Sequence, residues 1–532
     1  MLICWPYFVG VLRSAYFESS AMPLISIILV NYRVPYFLEQ CLHSVRVAAR
    51  GLDVEVIVID NASGDGSIEY LRPRFPEIRF LESSSNLGFA RASNRGYRES
   101  KGEYILFLNP DTLLSEESLR APIRFMQDRP DAGALGIKMV DGMGKFLPES
   151  KRAFPDPITA FYKLIGLSKL FPRSPRFAHY HLGHLSADDN QIIDVVSGAY
   201  FLVRRAVLEQ VGVFDEQFFM YGEDIDLSYR IQKAGYTNHY FAESSILHFK
   251  GESTQKQDLR YVRLFYGAMR QFVRKHQGHN GIFTAGIQGA IGLRALVSLM
   301  RRTIQRTGVP VLDWLLILAS FFLVRAVWSG VVRPDVVYPT ALRLSTSLYA
   351  LLFFLVALFA GLYRSPFRWK YLFRATLLST GMVLMIYSLM PEQLRFSRGM
   401  ILFSSIVASL VLMGWRWILL SMQVIQPHHS ERLRFPILVI GSSESLAAIR
   451  SLYPEQPAAA FQHLEPGSRS LEELVRSTHA LIPFQEIVFS PGELSYQQML
   501  LLMQRLSLRH RFRFHIPGSD RLICTNFQHK AG

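Results

Sequence analysis

The chain has 532 residues, a formal net charge of +15 and a hydrophobic fraction of 49%. The length allows two or three domains. Three cysteines, Cys4, Cys41 and Cys524, lie far apart with no CxxC pair, which argues against a disulfide framework or a zinc site and fits a reducing setting. Many of the bases flank an apolar block at residues 311–422, among them Arg301, Arg302, Arg306, Arg364, Arg368, Lys370, Arg374, Arg432 and Arg434. Basic flanks of this kind follow the positive-inside bias and attract anionic lipid, so membrane lipids rather than nucleic acid are the expected partner of the charge excess.

Residues 1–21 have a short apolar start with no basic segment before it, and are a leader of unclear status. From residue 22 the chain alternates short β-branched runs with helical spacing. "LISIILV" (24–30), "VEVIVID" (54–60), "IRFLESS" (78–84) and "EYILFLNPD" (103–111) read as strands, with helices between them. That alternation predicts a parallel sheet, which binds ligands beyond the carboxyl ends of its strands. Asp60 and Asp111 both stand at such ends. "DGMGK" (141–145) reads as a hairpin turn, and residues 145–190, rich in Pro, Phe and His, as loop. Order resumes through "SGAYFLVRR" to "YGEDIDLSYRIQKAGY", whose helix carries Glu223, Asp224 and Asp226 in its first turn.

Apolar segments follow near 311–332, 344–363, 371–390 and 400–421, each about the length that crosses a bilayer core. Arg374 and Arg416 fall near segment ends, where snorkelling is cheap, and Arg325 lies deeper. Residues 282–302 are basic and amphipathic, suited to the membrane interface. Residues 433–532 return to strand, glycine turn and helix, beginning "ILVIGSSES". A single glycine, Gly441, in place of GxGxxG gives weak support for a dinucleotide site there.

Several residues suit chemistry, each with a plainer alternative. Asp111 could hold a divalent cation with hard oxygen ligands, or cap a turn after Pro110. Asp60, Asn61 and Asp65 could reach a nucleotide, or form Asx turns. Asn86, Gly88 and Asn94 surround a helix start whose free amides, with Arg91, suit a diphosphate. One carboxylate of the Glu223–Asp224–Asp226 group could serve as general base; Asp224 and Asp226 cannot share a helix face.

The motifs "IDNASGDGS", "NLGFARASNRG", "LNPDT", "SGAYFLVRR", "FDEQFFMYGEDIDLSYR" and "HFKGES" occur in this order over residues 23–255. Together they resemble the family-2 inverting glycosyltransferases, nearest to the rhamnosyl- and galactofuranosyl-transferase-like branch of bacterial surface polysaccharide synthesis. The resemblance implies a GT-A-like α/β nucleotide-sugar-binding domain and a membrane-bound, inverting, metal-dependent transfer of a sugar. It implies a dTDP- or UDP-sugar donor, a polyprenyl-linked saccharide acceptor, and Mg2+ or Mn2+. It places Asp111 and His248 at the metal and Asp224 as catalytic base. It places Asn31, Asp60, Asn61, Asp65, Asn86, Gly88, Asn94 and Asn109 at the donor, and Gly198, Ala199, Tyr221, Glu223 and Asp226 on the acceptor side. The usual Asp-x-Asp of the metal motif is here Asn109-Pro110-Asp111, which removes one charge. The later part resembles the front of the polyprenyl-phosphate glycosyl-phosphotransferases, without their catalytic motifs.

The expected organisation is a leader (1–21), a GT-A-like domain (22–255), a juxtamembrane connector (256–310), a four-helix transmembrane block (311–422) and a small Rossmann-like domain (433–532). The expected location is the bacterial inner membrane, multi-pass, with both soluble domains cytoplasmic and polysaccharide-assembly proteins as partners. The rival expectation is a catalytically weak scaffold that recruits such proteins. A nucleotidyltransferase would want a Gly- and Lys-rich loop after the first strand, and "LVNYRVPYF" has neither.

Overall fold

The computed structural model describes residues 23–155, 159, 162, 167–249, 259–276, 308–334, 341–363, 367–391, 397–421, 436–454, 456–467, 470–480, 486–490, 492, 494–506, 511–515 and 521–523. The leader and the amphipathic stretch 282–302 lie outside these residues. The chain forms two compact units, Met1–Arg294 with Phe435–Gly532, and Ala295–Arg434.

The first unit opens with β1 (Ile25–Asn31), α1 (Pro35–Ala48), β2 (Val54–Asp60), α2 (Ser67–Leu71), β3 (Arg79–Glu82), α3 (Gly88–Glu99) and β4 (Tyr104–Leu108). These strands pair in parallel in the order β3-β2-β1-β4. Both faces of β1 and β4 are buried, which is why their sequences are continuous apolar runs rather than alternating ones. The chain continues through β5 (Thr112–Leu114), α4 (Arg120–Gln127), β6 (Ala132–Val140), β7 (Gln191–Ile193), β8 (Tyr200–Arg204), α5 (Arg205–Val211), α6 (Glu223–Lys233), β9 (Thr237–His248) and α7 (Leu259–His276). The sheet has nine strands and is mixed, not parallel as expected: β8 runs antiparallel to β4 and β6, and β5 runs antiparallel to β9. The expected turn after β6 is present, with the Asp141 amide bonded to the Lys145 carbonyl at 2.8 Å.

The connector expected from residue 256 begins as part of this unit. Ala268, Met269, Phe272 and Val273 of α7 pack with Val195, Phe218 and Ile225. Burying that apolar stripe extends the domain past the boundary expected at 255.

The C-terminal part is a five-stranded sheet built from β10 (Ile437–Ile440), α8 (Ser443–Ser451), β11 (Phe461–Leu464), α9 (Leu471–Ala480), β12 (Glu486–Phe489), α10 (Tyr496–Leu506), β13 (Arg511–His515) and β14 (Leu522–Ile523). Its order is β11-β10-β12-β13-β14, parallel except for the last strand. It was expected as a separate domain, but its core is continuous with the first: Leu438, Ile487, Phe489, Met499, Met503 and Phe514 share one buried cluster with Phe37, Leu113, Val140, Leu247 and Phe249.

The described residues of the second unit include four apolar helices, α11 (Val309–Val327), α12 (Ala341–Phe359), α13 (Trp369–Leu389) and α14 (Arg398–Ser421). Among the described residues three stretches, Val309–Val332, Trp369–Leu389 and Arg398–Leu420, are long and apolar enough to cross a membrane; Leu344–Phe359 is shorter. The expected second span ran to 363, but the helix stops short of the turn at Gly361. Arg416 does not snorkel. It is 2% exposed and donates two hydrogen bonds to Asp313, at 2.9 and 2.6 Å, because a desolvated guanidinium needs a carboxylate within the bundle. Tyr363 donates to the same Asp313 at 2.5 Å.

Candidate functional site

At the ends of β1 and β2, Asn31 donates to Asp60 Oδ1 at 2.8 Å, and the Ser63 amide donates to Asp60 Oδ2 at 3.0 Å. Asp60 is thus held by two donors in the loop beyond the strand. Asp65 lies in the following turn, where it accepts from the Ser67 amide at 3.1 Å at the start of α2 and is exposed. Asn61 Oδ1 accepts from the Leu87 amide at 2.7 Å, and its amide donates to Asn86 Oδ1 at 3.1 Å.

The start of α3 is not the open cradle of amides that its sequence suggests. The Gly88 amide is taken by Asn86 Oδ1 at 2.9 Å, and the Phe89 amide by the Phe219 carbonyl at 2.8 Å. Gly88 has φ +78°, and a Cβ there would overlap Phe219, so only glycine admits this approach. Arg91 pairs with Glu216 at 3.6 Å on the surface. Asn94 is buried and donates to the Phe214 carbonyl at 2.8 Å and to Glu216 at 3.1 Å. These residues join α3 to the 214–219 loop.

Beyond β4, the chain turns at Asn109-Pro110-Asp111, and β5 pairs with the end of β9 so that Thr112 faces His248. Asp111 and His248, 137 positions apart in sequence, therefore meet: His248 Nε2 lies 3.4 Å from Asp111 Oδ1, and Asn109 Nδ2 lies 3.5 Å from the same nitrogen. Asp111 Oδ1 and His248 Nδ1 are both buried without a hydrogen-bond partner among the described residues. Buried polar atoms are nearly always satisfied, and a carboxylate oxygen left bare beside an imidazole fits a divalent cation. Among the described residues there is no group of three or more His, Cys, Asp or Glu suited to a metal ion. Asp111 and His248 are the residues here that could hold such an ion, and hard oxygen-binding magnesium or manganese would suit them.

The third station is the start of α6. Tyr221 and Gly222 both take left-handed backbone, at φ +68° and +87°, and turn the chain into the helix. A tyrosine in that region is a marked outlier, of the kind that clusters at functional sites. Asp224 is 8% exposed. Its Oδ2 accepts from Arg152 at 2.5 Å and from the Gly198 amide at 3.1 Å; Oδ1 accepts from the Ile225 amide at 2.9 Å. Burial acts against the charge of Arg152, but Asp224 and Tyr180 outweigh it and hold the guanidinium protonated more firmly than usual. Glu223 is 6% exposed, and its Oε2 has no partner among the described residues. Burial, with the Asp224 charge beside it, pushes its carboxyl above the usual carboxylate range.

Asp226 points elsewhere, as the spacing requires. It is fully buried and accepts from Lys275 at 2.7 Å, His276 at 2.7 Å and Arg230 at 2.8 Å. Burial alone would raise its pKa, but these three partners hold it below the usual range. Its visible role is to anchor α7.

The Asp111–His248 and Asp224 stations are connected through backbone. The Asn109 amide donates to the Ala199 carbonyl at 3.1 Å, and the neighbouring Gly198 amide donates to Asp224. Arg152 was not anticipated from the sequence; a single Lys-Arg pair inside an unpatterned loop carries no periodic signal.

Residues 26–212 match the family described as Glycosyl transferase family 2. The chain is 29% identical over 299 residues to an N-acetylglucosaminyl-diphospho-decaprenol L-rhamnosyltransferase of Mycobacterium tuberculosis, covering 53% of this chain and 95% of that protein. It is 29% identical over 169 residues to the rhamnosyltransferase WbbL of Escherichia coli, covering 31% and 59%. Among solved structures it aligns with a mannosyltransferase from Pyrobaculum calidifontis in complex with GDP-Man and Mn2+, at TM-score 0.34 and 16% identity, over 75% of this chain and 88% of that one. Residues 26–212 thus match the family-2 glycosyltransferase model and the chain is similar to rhamnosyltransferases, with apolar helices and a small sheet domain following the matched part.

Proposed function

We propose that this protein is a membrane-bound inverting glycosyltransferase that moves a sugar from a dTDP- or UDP-sugar to a polyprenyl-linked saccharide during surface polysaccharide synthesis. The observation that carries the reading is the linkage of a bare Asp111–His248 pair to a buried, oriented Asp224 through Asn109, Ala199 and Gly198. The relative that acts on a decaprenol-linked sugar supports the acceptor class, and the apolar helices support membrane attachment. The soluble parts work on the cytoplasmic side of a bacterial inner membrane, where nucleotide sugars are made.

In this reading, Asn31 and Ser63 hold Asp60 ready to accept from the donor's base or ribose. Asp111 and His248 would hold Mg2+ or Mn2+, which would supply positive charge against the leaving nucleoside diphosphate. Asp224 takes the proton of the acceptor hydroxyl as that oxygen bonds to the anomeric carbon and the bond to the diphosphate breaks. A single displacement inverts the anomeric centre. Glu223, kept protonated, donates a hydrogen bond to the acceptor from Oε2.

The test uses purified full-length protein in detergent with manganese, a panel of nucleotide sugars and a polyprenyl-diphosphate saccharide, with product configuration read by NMR. Asp224→Asn should lower turnover by ~10²–10⁴-fold with donor affinity nearly intact. Near-normal turnover in that variant, or a retained anomeric configuration, would overturn the reading. Absence of turnover with every donor would favour the recruitment scaffold.

A further inference from the structure

The C-terminal sheet domain lies against the elements that carry the metal station. Phe249, the residue after His248, donates its amide to the Asp111 carbonyl at 2.9 Å. One backbone hydrogen bond thus ties the two candidate metal ligands together, beside the Thr112–His248 pairing of β5 with β9. The Phe249 ring is buried between the two domains. It meets Phe37 of α1 edge-on at 5.2 Å and Phe514 of β13 at 5.7 Å. Phe514 in turn packs against Phe489 at 5.6 Å.

Two further contacts fix the docking. Glu116, shortly after β5, places one carboxylate oxygen 2.8 Å from the Tyr496 amide and the other 3.0 Å from the Gln497 amide. This carboxylate from one domain caps the first turn of α10 in the other, where the helix dipole favours negative charge. Gly144, in the turn after β6, sits so close to the backbone of Met503 in α10 that a Cβ would overlap it. The turn, the cap and the aromatic contact surround β5 and the end of β9.

We propose that the C-terminal sheet domain is a positioning element for the Asp111–His248 station. It buttresses Phe249 from behind, so the separation of the two ligands, and with it the hold on a divalent cation, depends on the docked face. The role rests on the metal reading above. It assigns a catalytic contribution to a domain whose own glycine turn shows no dinucleotide fingerprint. Phe514 and Glu116 are positioning residues: neither touches substrate, and both act through Phe249 and β5.

The experiment is a manganese titration of sugar transfer by the full-length protein, with Mn2+ binding followed independently by electron paramagnetic resonance. Phe514→Ala removes the ring behind Phe249. Glu116→Gln keeps the shape but weakens the cap on α10, and tests the same coupling if the first variant folds poorly. Ile449→Ala serves as comparison, because Ile449 packs on the opposite face of the C-terminal sheet with Ile437, Val439 and Val488. The expected result is that Phe514→Ala and Glu116→Gln raise the half-saturating manganese concentration by about 10-fold, the scale seen when outer partners of metal ligands are lost. Turnover at saturating manganese should stay near the starting value, and Ile449→Ala should leave the titration unchanged. An unchanged titration in both docking variants overturns the proposal, as does an equal shift in Ile449→Ala. Asp111→Ala separates this from failure of the metal reading. If it raises the requirement while the docking variants do not, only the positioning role falls. If it has no effect, the metal reading falls and takes the positioning role with it.

Discussion

Arg152 donates to Asp224 Oδ2 at 2.5 Å and to the Val196 carbonyl at 3.1 Å, so one guanidinium ties the candidate base to the connecting segment that leads to Gly198. Both bonds leave the same Nη2, whose position the planar guanidinium fixes, and a lysine ammonium on its flexible stem is held less firmly. Arg152→Ala leaves Asp224 with two backbone amides and no fixed side-chain partner. Misplacing a reacting group by about 1 Å can cost on the order of 10²-fold, and the expected loss is of that order in kcat, with donor KM little changed. Arg152→Lys should recover only part of it. Steady-state kinetics of the three proteins decide this; a loss confined to KM would remove Arg152 from the positioning of the base.

Glu223 offers a second comparison. Its Oε2 is buried without a partner among the described residues, and its carboxyl is pushed up by burial and by the neighbouring Asp224. A neutral acid can donate a hydrogen bond, and a glutamine can donate in its place, whereas alanine leaves a hole. Glu223→Gln should therefore retain most of the acceptor affinity, and Glu223→Ala should lose about 10-fold, on the scale of a hydrogen bond worth ~1–1.5 kcal/mol. Acceptor KM measured for both variants is the check; equal losses would mean that Glu223 acts as a carboxylate.

How much of this was legible in advance depended on sequence distance. The parallel strands were readable because Ile25–Asn31 and Val54–Asp60 are short β-branched runs buried along much of their length. The pairing of Asp111 with His248 followed from family resemblance rather than from spacing, since nothing local relates the turn before β5 to the end of β9. Arg152 could not be found, because its partner lies 72 residues on and its own segment has no periodicity. Arg416 was misplaced for a related reason. Near the end of an apolar segment snorkelling is the default, and only the packed bundle reveals Asp313 at 103 residues' distance. The docking of the C-terminal sheet was likewise invisible, since its contacts are apolar residues that would equally well fill a core of their own.

Asp226 makes stability depend on acid. Its folded pKa is depressed by Lys275, His276 and Arg230, below the unfolded value of about 3.9. The stabilisation is therefore fully present above about pH 4 and is lost as pH falls through the lower folded value. Asp226→Asn should destabilise the first unit at pH 7, where it removes the buried charge that Lys275, His276 and Arg230 contact. The gap between variant and parent melting temperatures should narrow below about pH 4. Thermal melts from pH 7 to pH 3 measure it, and a gap that stays constant would show that the carboxylate's charge contributes nothing.

The Asp313–Arg416 pair joins the first and last apolar helices of the second unit with two hydrogen bonds, and Tyr363 completes it. Both ions are buried, with Asp313 fully enclosed. Removing one partner of such a pair leaves an uncompensated charge and costs about 3–5 kcal/mol, whereas replacing both by apolar groups of similar volume is often neutral. Arg416→Met and Asp313→Leu should each lower the thermal stability of the detergent-solubilised protein sharply, and the double replacement should recover most of the loss. The recovery is the discriminating measurement, because two independent packing defects would add. If the double variant is at least as unstable as the sum of the singles, the pair does not act as a unit. Tyr363→Phe in the Asp313→Leu background should then be nearly silent, since the hydroxyl has already lost its acceptor.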